Sequence, residues 1–238
     1  MMVTEWEKYK DSAEQLVQMG RYSEAENFWM LAVKAADDFN ENDPRTTYTL
    51  DRLGDCFIKQ QRYAEAEQVF TMALEIRKAV LGPTHLDVGK SLSQIVDLMQ
   101  IEQKYNEAEP LQLEILSIYE VNFGAEHPGV ATIVLNLAQF YHGLKRYNEA
   151  ELFYKRSLAI KQKLYGYRSP EVKGLTEKYA AMLQECDRGQ EADSLVEEVS
   201  GTASGVWRAI NAKREEEVKS NRDKMKRSGF FDRFKKDR

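Results

Sequence analysis

The sequence predicts an all-α solenoid of five antiparallel helix hairpins, followed by a C-terminal capping helix. Three observations predict it. Helix formers dominate the chain and only 5 Pro and 13 Gly punctuate its 238 residues. A charged hexad recurs through the length of the chain: RYSEAE from Arg21, RYAEAE from Arg62, KYNEAE from Lys104, RYNEAE from Arg146 and RGQEAD from Arg188, at spacings of 41, 42, 42 and 42 residues. A second marker, GPTH from Gly82, GAEH from Gly124 and GYRS from Gly166, keeps the same period, and self-similarity at a fixed period is the signature of a repeat array.

Reading outward from the hexad alanines (Ala25, Ala66, Ala108, Ala150, Ala192) gives the hairpin. Twelve residues upstream stand Ala13, Gly54, Val96, Ala138 and Ala180; nine upstream stand Leu16, Phe57, Met99, Tyr141 and Leu183. Four downstream are Trp29, Phe70, Gln112, Tyr154 and Val196, and seven downstream Ala32, Ala73, Ile115, Ser157 and Val199. Small residues at helical spacing let two helices approach, and the large ones fill the gaps beside them, so these positions form the core. Tyr22, Tyr63, Tyr105 and Tyr147 mark the turn inside each hairpin. The expected helix pairs are 3–18 and 23–38, 46–59 and 64–80, 87–101 and 106–122, 129–143 and 148–164, 170–185 and 189–199. The repeats thus occupy about 3–40, 46–82, 87–124, 129–166 and 170–200, with a capping, charged helix over 201–227 and a basic aromatic tail over 228–238. Pro110 is expected in the first turn of its helix, where a missing N–H costs little.

These residues carry a resemblance to the tetratricopeptide repeat, and the 42-residue unit is similar to the kinesin light chain type, covering roughly Trp6 to Ser200. The ordinary repeat has 34 residues; here ALEIRKAVLG and SLAIKQKLYG lengthen the second helix. The resemblance implies a right-handed superhelix and a protein-binding scaffold or adaptor whose first helices line a concave peptide groove. On that face it places Lys10 and Glu14, Tyr48, Asp51 and Asp55, Lys90 and Asp97, Leu135, Asn136, Gln139 and His142, and Glu177 with Gln184. Glu7, Ser93 and Thr132 belong to the same row, and Asp11, Arg52, Gln94 and Lys178 lie beside it. Acids exceed bases there, so the groove is expected to favour a basic partner segment. The kinesin light chain type would take acidic peptides carrying an aromatic, but only Asn136 stands where that family sets paired asparagines. No coiled-coil heptads precede the repeats, so attachment to a motor in the light-chain manner is not expected.

From Lys213 onward the chain holds eleven Lys or Arg against six acids, a charge of +5 against −10 for the rest. Phe230, Phe231, Phe234, Lys235 and Lys236 combine aromatic and basic character. Three readings stand beside one another: a solvated disordered end, an amphipathic segment touching an anionic membrane, which would make the chain a membrane-surface assembly factor, and a ligand for the acidic groove in cis or in trans. The net charge of −5 argues against nucleic acid as the partner.

Nothing points to an enzyme or a cofactor. Cys56 and Cys186 lack metal-ligand spacing, and no phosphate loop or nucleophile elbow appears. His85 and His127 recur with the repeat, and His142 reads as structural or solvent-facing. With neither a basic, apolar leader at the N-terminus nor an apolar stretch long enough to span a bilayer, the chain is expected in the cytoplasm, soluble or peripheral to a membrane.

Overall fold

The computed structural model describes residues 4–36, 39–40 and 43–200. Among them the chain forms ten α-helices and no strand: α1 (Glu5–Gln18), α2 (Tyr22–Ala36), α3 (Pro44–Lys59), α4 (Tyr63–Leu81), α5 (Leu86–Ile101), α6 (Tyr105–Phe123), α7 (Pro128–Gly143), α8 (Tyr147–Tyr165), α9 (Pro170–Glu185) and α10 (Gly189–Ser200). They pair as five hairpins, and the expected boundaries hold to within about two residues at the described ends. The capping helix over 201–227 and the aromatic tail lie outside the described residues. The long second helices are 19 residues in α4, α6 and α8, against 15 in α2 and 12 in α10.

Each repeat marker has a local cause. Inside a hairpin the first helix ends on a residue in the left-handed region: Gly20, Gln61, Gln103, Lys145 and Asp187, with φ of 73°, 61°, 59°, 58° and 59°. The first residue of each hexad then donates its N–H back over that turn, Arg21 to Leu16 O (2.9 Å), Arg62 to Phe57 O (2.9 Å), Lys104 to Met99 O (2.8 Å), Arg146 to Tyr141 O (2.9 Å) and Arg188 to Leu183 O (2.9 Å). This is a Schellman closure, and it satisfies carbonyls that the helix end would leave open. Between hairpins, Gly82, Gly124 and Gly166 stop the long helices at φ of 85°, 82° and 83°, a conformation that costs glycine nothing. Three residues later comes the N-cap of the next helix. His85 Nδ1 accepts from Asp87 N, His127 Nδ1 from Gly129 N, and Ser169 Oγ from Val172 N. Two of the three histidines are therefore helix caps.

The hairpin cores follow the expected rows. All five hexad alanines are fully buried, as are Ala13, Ala138, Trp29, Phe70, Tyr141 and Tyr154. Gly54 has to be glycine, because a Cβ there would stand 2.4 Å from the Phe70 ring. Tyr141 stacks on Phe153 with ring centroids 5.4 Å apart, and Tyr154 stacks on Tyr179 at 5.4 Å. Three expectations fail. Leu16 is only half-buried. Val196 is exposed: at this position Trp29 and Tyr154 are covered by Tyr48 and Tyr179 of the following hairpin, and no described helix follows α10. Pro110 is the sixth residue of α6, not in its first turn, so the helix forgoes one backbone hydrogen bond and still continues to Phe123.

Two compact units divide the chain, residues 1–122 and 123–238. The first contains the hairpins α1/α2 and α3/α4 and, save its last residue, α5/α6; the second contains α7/α8 and α9/α10.

Candidate functional site

In the first unit the first helices of consecutive hairpins lie side by side. Trp6 Nε1 in α1 donates to Thr49 Oγ1 in α3 (2.9 Å), and the Tyr48 hydroxyl donates to Glu14 Oε1 (2.7 Å). Arg77 of α4 bridges α3 and α5, donating to both Asp51 oxygens at 3.1 and 2.6 Å and to Ser91 Oγ at 2.6 Å. The face expected to bind a partner is therefore built, but many of its acids already hold a cation. Lys10 reaches Asp11 at 3.1 Å and Glu14 at 3.2 Å; Arg52 reaches Asp55 at 3.0 Å. Asp51 lies too deep in its pair with Arg77, both side chains 14% exposed, to act as a free contact. Lys90 is exposed and holds Asp87 of its own first turn at 2.8 Å.

One row along this face stands apart. Glu14, Asp55 and Asp97 occupy the same repeat position, eleven residues before the hexad alanine. Partial loss of hydration against the packed helices, without full removal from solvent, holds the carboxyls of Asp55 and Asp97 above the usual aspartate range, with Arg52 opposing the shift at Asp55 and nothing opposing it at Asp97. Among the described residues no cation lies within ion-pair distance of Asp97, although its side chain is open to solvent.

In the second unit Asn136 and Gln139 are exposed on α7, as expected, as are Thr132 on α7 and Glu177, Lys178 and Gln184 on α9. Leu135 is buried, at 9% exposure, because it turns into the hairpin core; it leaves the row of candidate contacts. His142 is not a lone surface residue. Its Nε2 lies 3.1 Å from Glu185 Oε2 and its Nδ1 3.2 Å from the Tyr154 hydroxyl, so the imidazole ties α7 to α8 and α9. Burial first, and Glu185 second, push the Tyr154 phenol up to about 12.

The hexad itself holds a feature that sequence reading missed. Its opening cation pairs with its own fourth residue, Arg62 with Glu65 and Arg146 with Glu149 (each 2.9 Å), and Arg188 with Glu191 (2.7 Å). The closing glutamate of one hexad then takes the opening cation of the next, Glu26 with Arg62 (2.7 Å), Glu67 with Lys104 (2.8 Å) and Glu151 with Arg188 (2.7 Å). The constant signs at fixed places in RY-x-EAE were the available signal. Phe230, Phe231, Phe234, Lys235 and Lys236 lie outside the described residues. Among the described residues no three His, Cys, Asp or Glu side chains converge as a metal site, and no helix is long and apolar enough to cross a membrane.

The helical hairpins, their 42-residue period and their laterally apposed first helices define a helical-repeat protein of the kind that binds other proteins. The tetratricopeptide repeat family model matches residues 8–79, 45–100 and 87–163, and the chain belongs to this family. Among solved structures, a Podosopora anserina protein assigned as a kinesin light chain, with nearly identical TPR-like repeats, superposes with a TM-score of 0.69 at 21% identity, covering 90% of this chain and 99% of that one. BtubC (BKLC) from P. vanneervenii matches with a TM-score of 0.68 at 20% identity, over 86% of this chain and 80% of that chain. The apo form of RapI gives a TM-score of 0.69 at 12% identity, over 85% and 56%. These likenesses show the fold. No curated protein matches the chain.

Proposed function

We propose that this chain is a non-enzymatic cytoplasmic adaptor that holds a basic segment of a partner protein on the face formed by α1, α3 and α5. Family membership supports the general role, since tetratricopeptide repeats mediate protein–protein interaction. Asp97, which no cation reaches among the described residues, carries the preference for a basic partner, with Glu14 and Asp55, already held by Lys10 and Arg52, in the same row. The carboxyls of Asp55 and Asp97 are held above their usual range by partial loss of hydration, and a guanidinium or ammonium group set against them would relieve that cost. Such binding needs the carboxylates ionised, so it strengthens as pH rises through the elevated Asp97 value and weakens below it. The chain's own segment from Lys213, at +5, is the natural first ligand, in cis or in trans.

The test is fluorescence anisotropy of a labelled peptide of residues 213–238, titrated with the full chain and with a chain ending at Ser200. Saturable binding, tighter to the shortened chain and weakened at least about tenfold by Asp55→Asn with Asp97→Asn, is expected, a change of roughly 1.4 kcal/mol. Binding that the two substitutions leave unchanged would remove this face as the site. Flotation of the full chain with anionic vesicles, with and without residues 228–238, checks the membrane reading, which loses its ground if both float equally.

A further inference from the structure

The second unit contains a cavity of about 410 Å³ lined by residues of α7, α8, α9 and the α7–α8 turn. It exists because of two small residues. Eleven positions before the hexad alanine, where the other hairpins carry Glu14, Asp55, Asp97 and Gln139, the fifth has Ala181. Seven positions before it, where Gln18, Lys59, Ile101 and Glu185 stand elsewhere, the fourth has Gly143, and a Cβ added there would meet no atom within 4 Å. Long side chains are thus missing at the two places that would otherwise fill the space.

The walls carry donors. Lys145 and Lys178 are exposed, and neither has an ion-pair partner among the described residues. The Gln139 amide lies beside them. The Tyr154 hydroxyl is tied to His142 Nδ1 at 3.2 Å, while His142 Nε2 lies 3.1 Å from Glu185, which also accepts from the Tyr147 hydroxyl at 3.3 Å. Two ammonium groups and an amide therefore line this space, with the Tyr154 hydroxyl held by His142 at its base and Glu185 the one acid among the lining residues.

The geometry points to a binding site for a phosphate monoester dianion, a phosphorylated side chain of a partner protein or a free phosphate ester. Three terminal oxygens and nearly two negative charges match two ammonium groups and an amide; a carboxylate offers two oxygens and one charge. This site is independent of the acidic row on α3 and α5, and its ligand has the opposite sign.

The experiment is NMR of the full chain, following the His142 ring and Ala181 methyl signals during titration with N-acetyl-phosphoserine amide, inorganic phosphate and N-acetyl-glutamate amide. His85 and His127, which cap helices, are internal controls. Saturable shifts of His142 and Ala181 with the two phosphate probes are expected, with weaker or no response to the carboxylate. Tighter binding of the phosphoserine probe than of inorganic phosphate assigns the ligand to a phosphorylated side chain; equal binding assigns it to free phosphate. Lys178→Gln and Lys145→Gln should each weaken binding about three- to tenfold, as loss of a charge-assisted contact does. Gln is the residue that sits in the same left-handed turn position at Gln61 and Gln103, so Lys145→Gln leaves the fold intact. Ala181→Gln, which restores the side chain of the preceding hairpin, should abolish binding. The proposal is overturned if neither phosphate probe gives a saturable shift, if the carboxylate binds as tightly, or if the shifts survive in Ala181→Gln.

Discussion

Replacing Glu151 by Gln should loosen the joint between the last two described hairpins, and its effect should shrink in acid. The Glu151 side chain is 14% exposed and receives Arg188 at 2.7 Å, Lys155 at 2.7 Å and the Tyr179 hydroxyl at 2.9 Å. Burial alone would raise its pKa, but the hydrogen bonds from Arg188 and Lys155 outweigh it and bring the carboxyl down from 4.5 to about 2. That drop is equivalent to roughly 3 kcal/mol, at about 1.4 kcal/mol per tenfold change in proton affinity. Gln keeps the shape and one acceptor, so the loss should be about 2 kcal/mol, or about 4–8 °C in Tm for a chain of this size. The sign follows from the depressed pKa. The contribution is present above the unfolded value near 4.5 and is lost as pH falls towards 2. Circular-dichroism melts of the native chain and Glu151→Gln should differ at pH 7 and at pH 5, and the gap should shrink to about a quarter by pH 2.5. Glu191→Gln removes the exposed partner of the same Arg188 and should cost under about 0.5 kcal/mol. A Tm gap below about 1 °C at pH 7, or one of equal size at pH 2.5, would refute the reasoning.

Three further outcomes follow from the packing. Gly54→Ala should destabilise the chain by about 1–3 kcal/mol in urea, because the new methyl meets the Phe70 ring, and adding Phe70→Leu should recover much of the loss. Gln103→Gly should raise stability in the same assay by about 0.5 kcal/mol or more, since a side chain at φ 59° is strained where glycine is not. In a thiol titration with Ellman's reagent at pH 8, Cys186 should react in the native chain and Cys56 only on unfolding, because Cys56 is buried and burial, with Asp55 and Glu26, pushes its thiol up to about 11.

The fold was legible because packing of identical units forces identical residues. The hexad alanines, Gly54 and the aromatic row are repeated or size-matched for a steric reason, and sterics leave a periodic trace. Electrostatic partners leave a fainter one. Asp51 looked like a free groove acid in sequence because nothing local announces Arg77, 26 residues away on the next helix. Leu135 was placed on the partner face by its position in the row, whereas its own apolar character was the better guide. His142 looked isolated since both its partners, Tyr154 and Glu185, lie on other helices, and the cavity beside it arises from what Gly143 and Ala181 do not fill. An absent side chain has no motif.

The same contrast separates architecture from recognition in this chain. Positions that stay constant from hairpin to hairpin, the opening cation, the glutamates and the alanine of the hexad, are consumed in joining each unit to its neighbour: Arg62 is held by Glu26 and Glu65 and lies 4.5 Å over the Phe57 ring. Those groups are already satisfied and have little left to offer a ligand. Positions that change between hairpins answer to no such demand. The series Glu14, Asp55, Asp97, Gln139, Ala181 runs from acid through amide to methyl within one chain, and the series Gln18, Lys59, Ile101, Gly143, Glu185 changes as freely. Along the first series the first unit presents carboxylates raised by partial loss of hydration, and the second presents an open cavity flanked by Lys145 and Lys178, which have no ion-pair partner among the described residues.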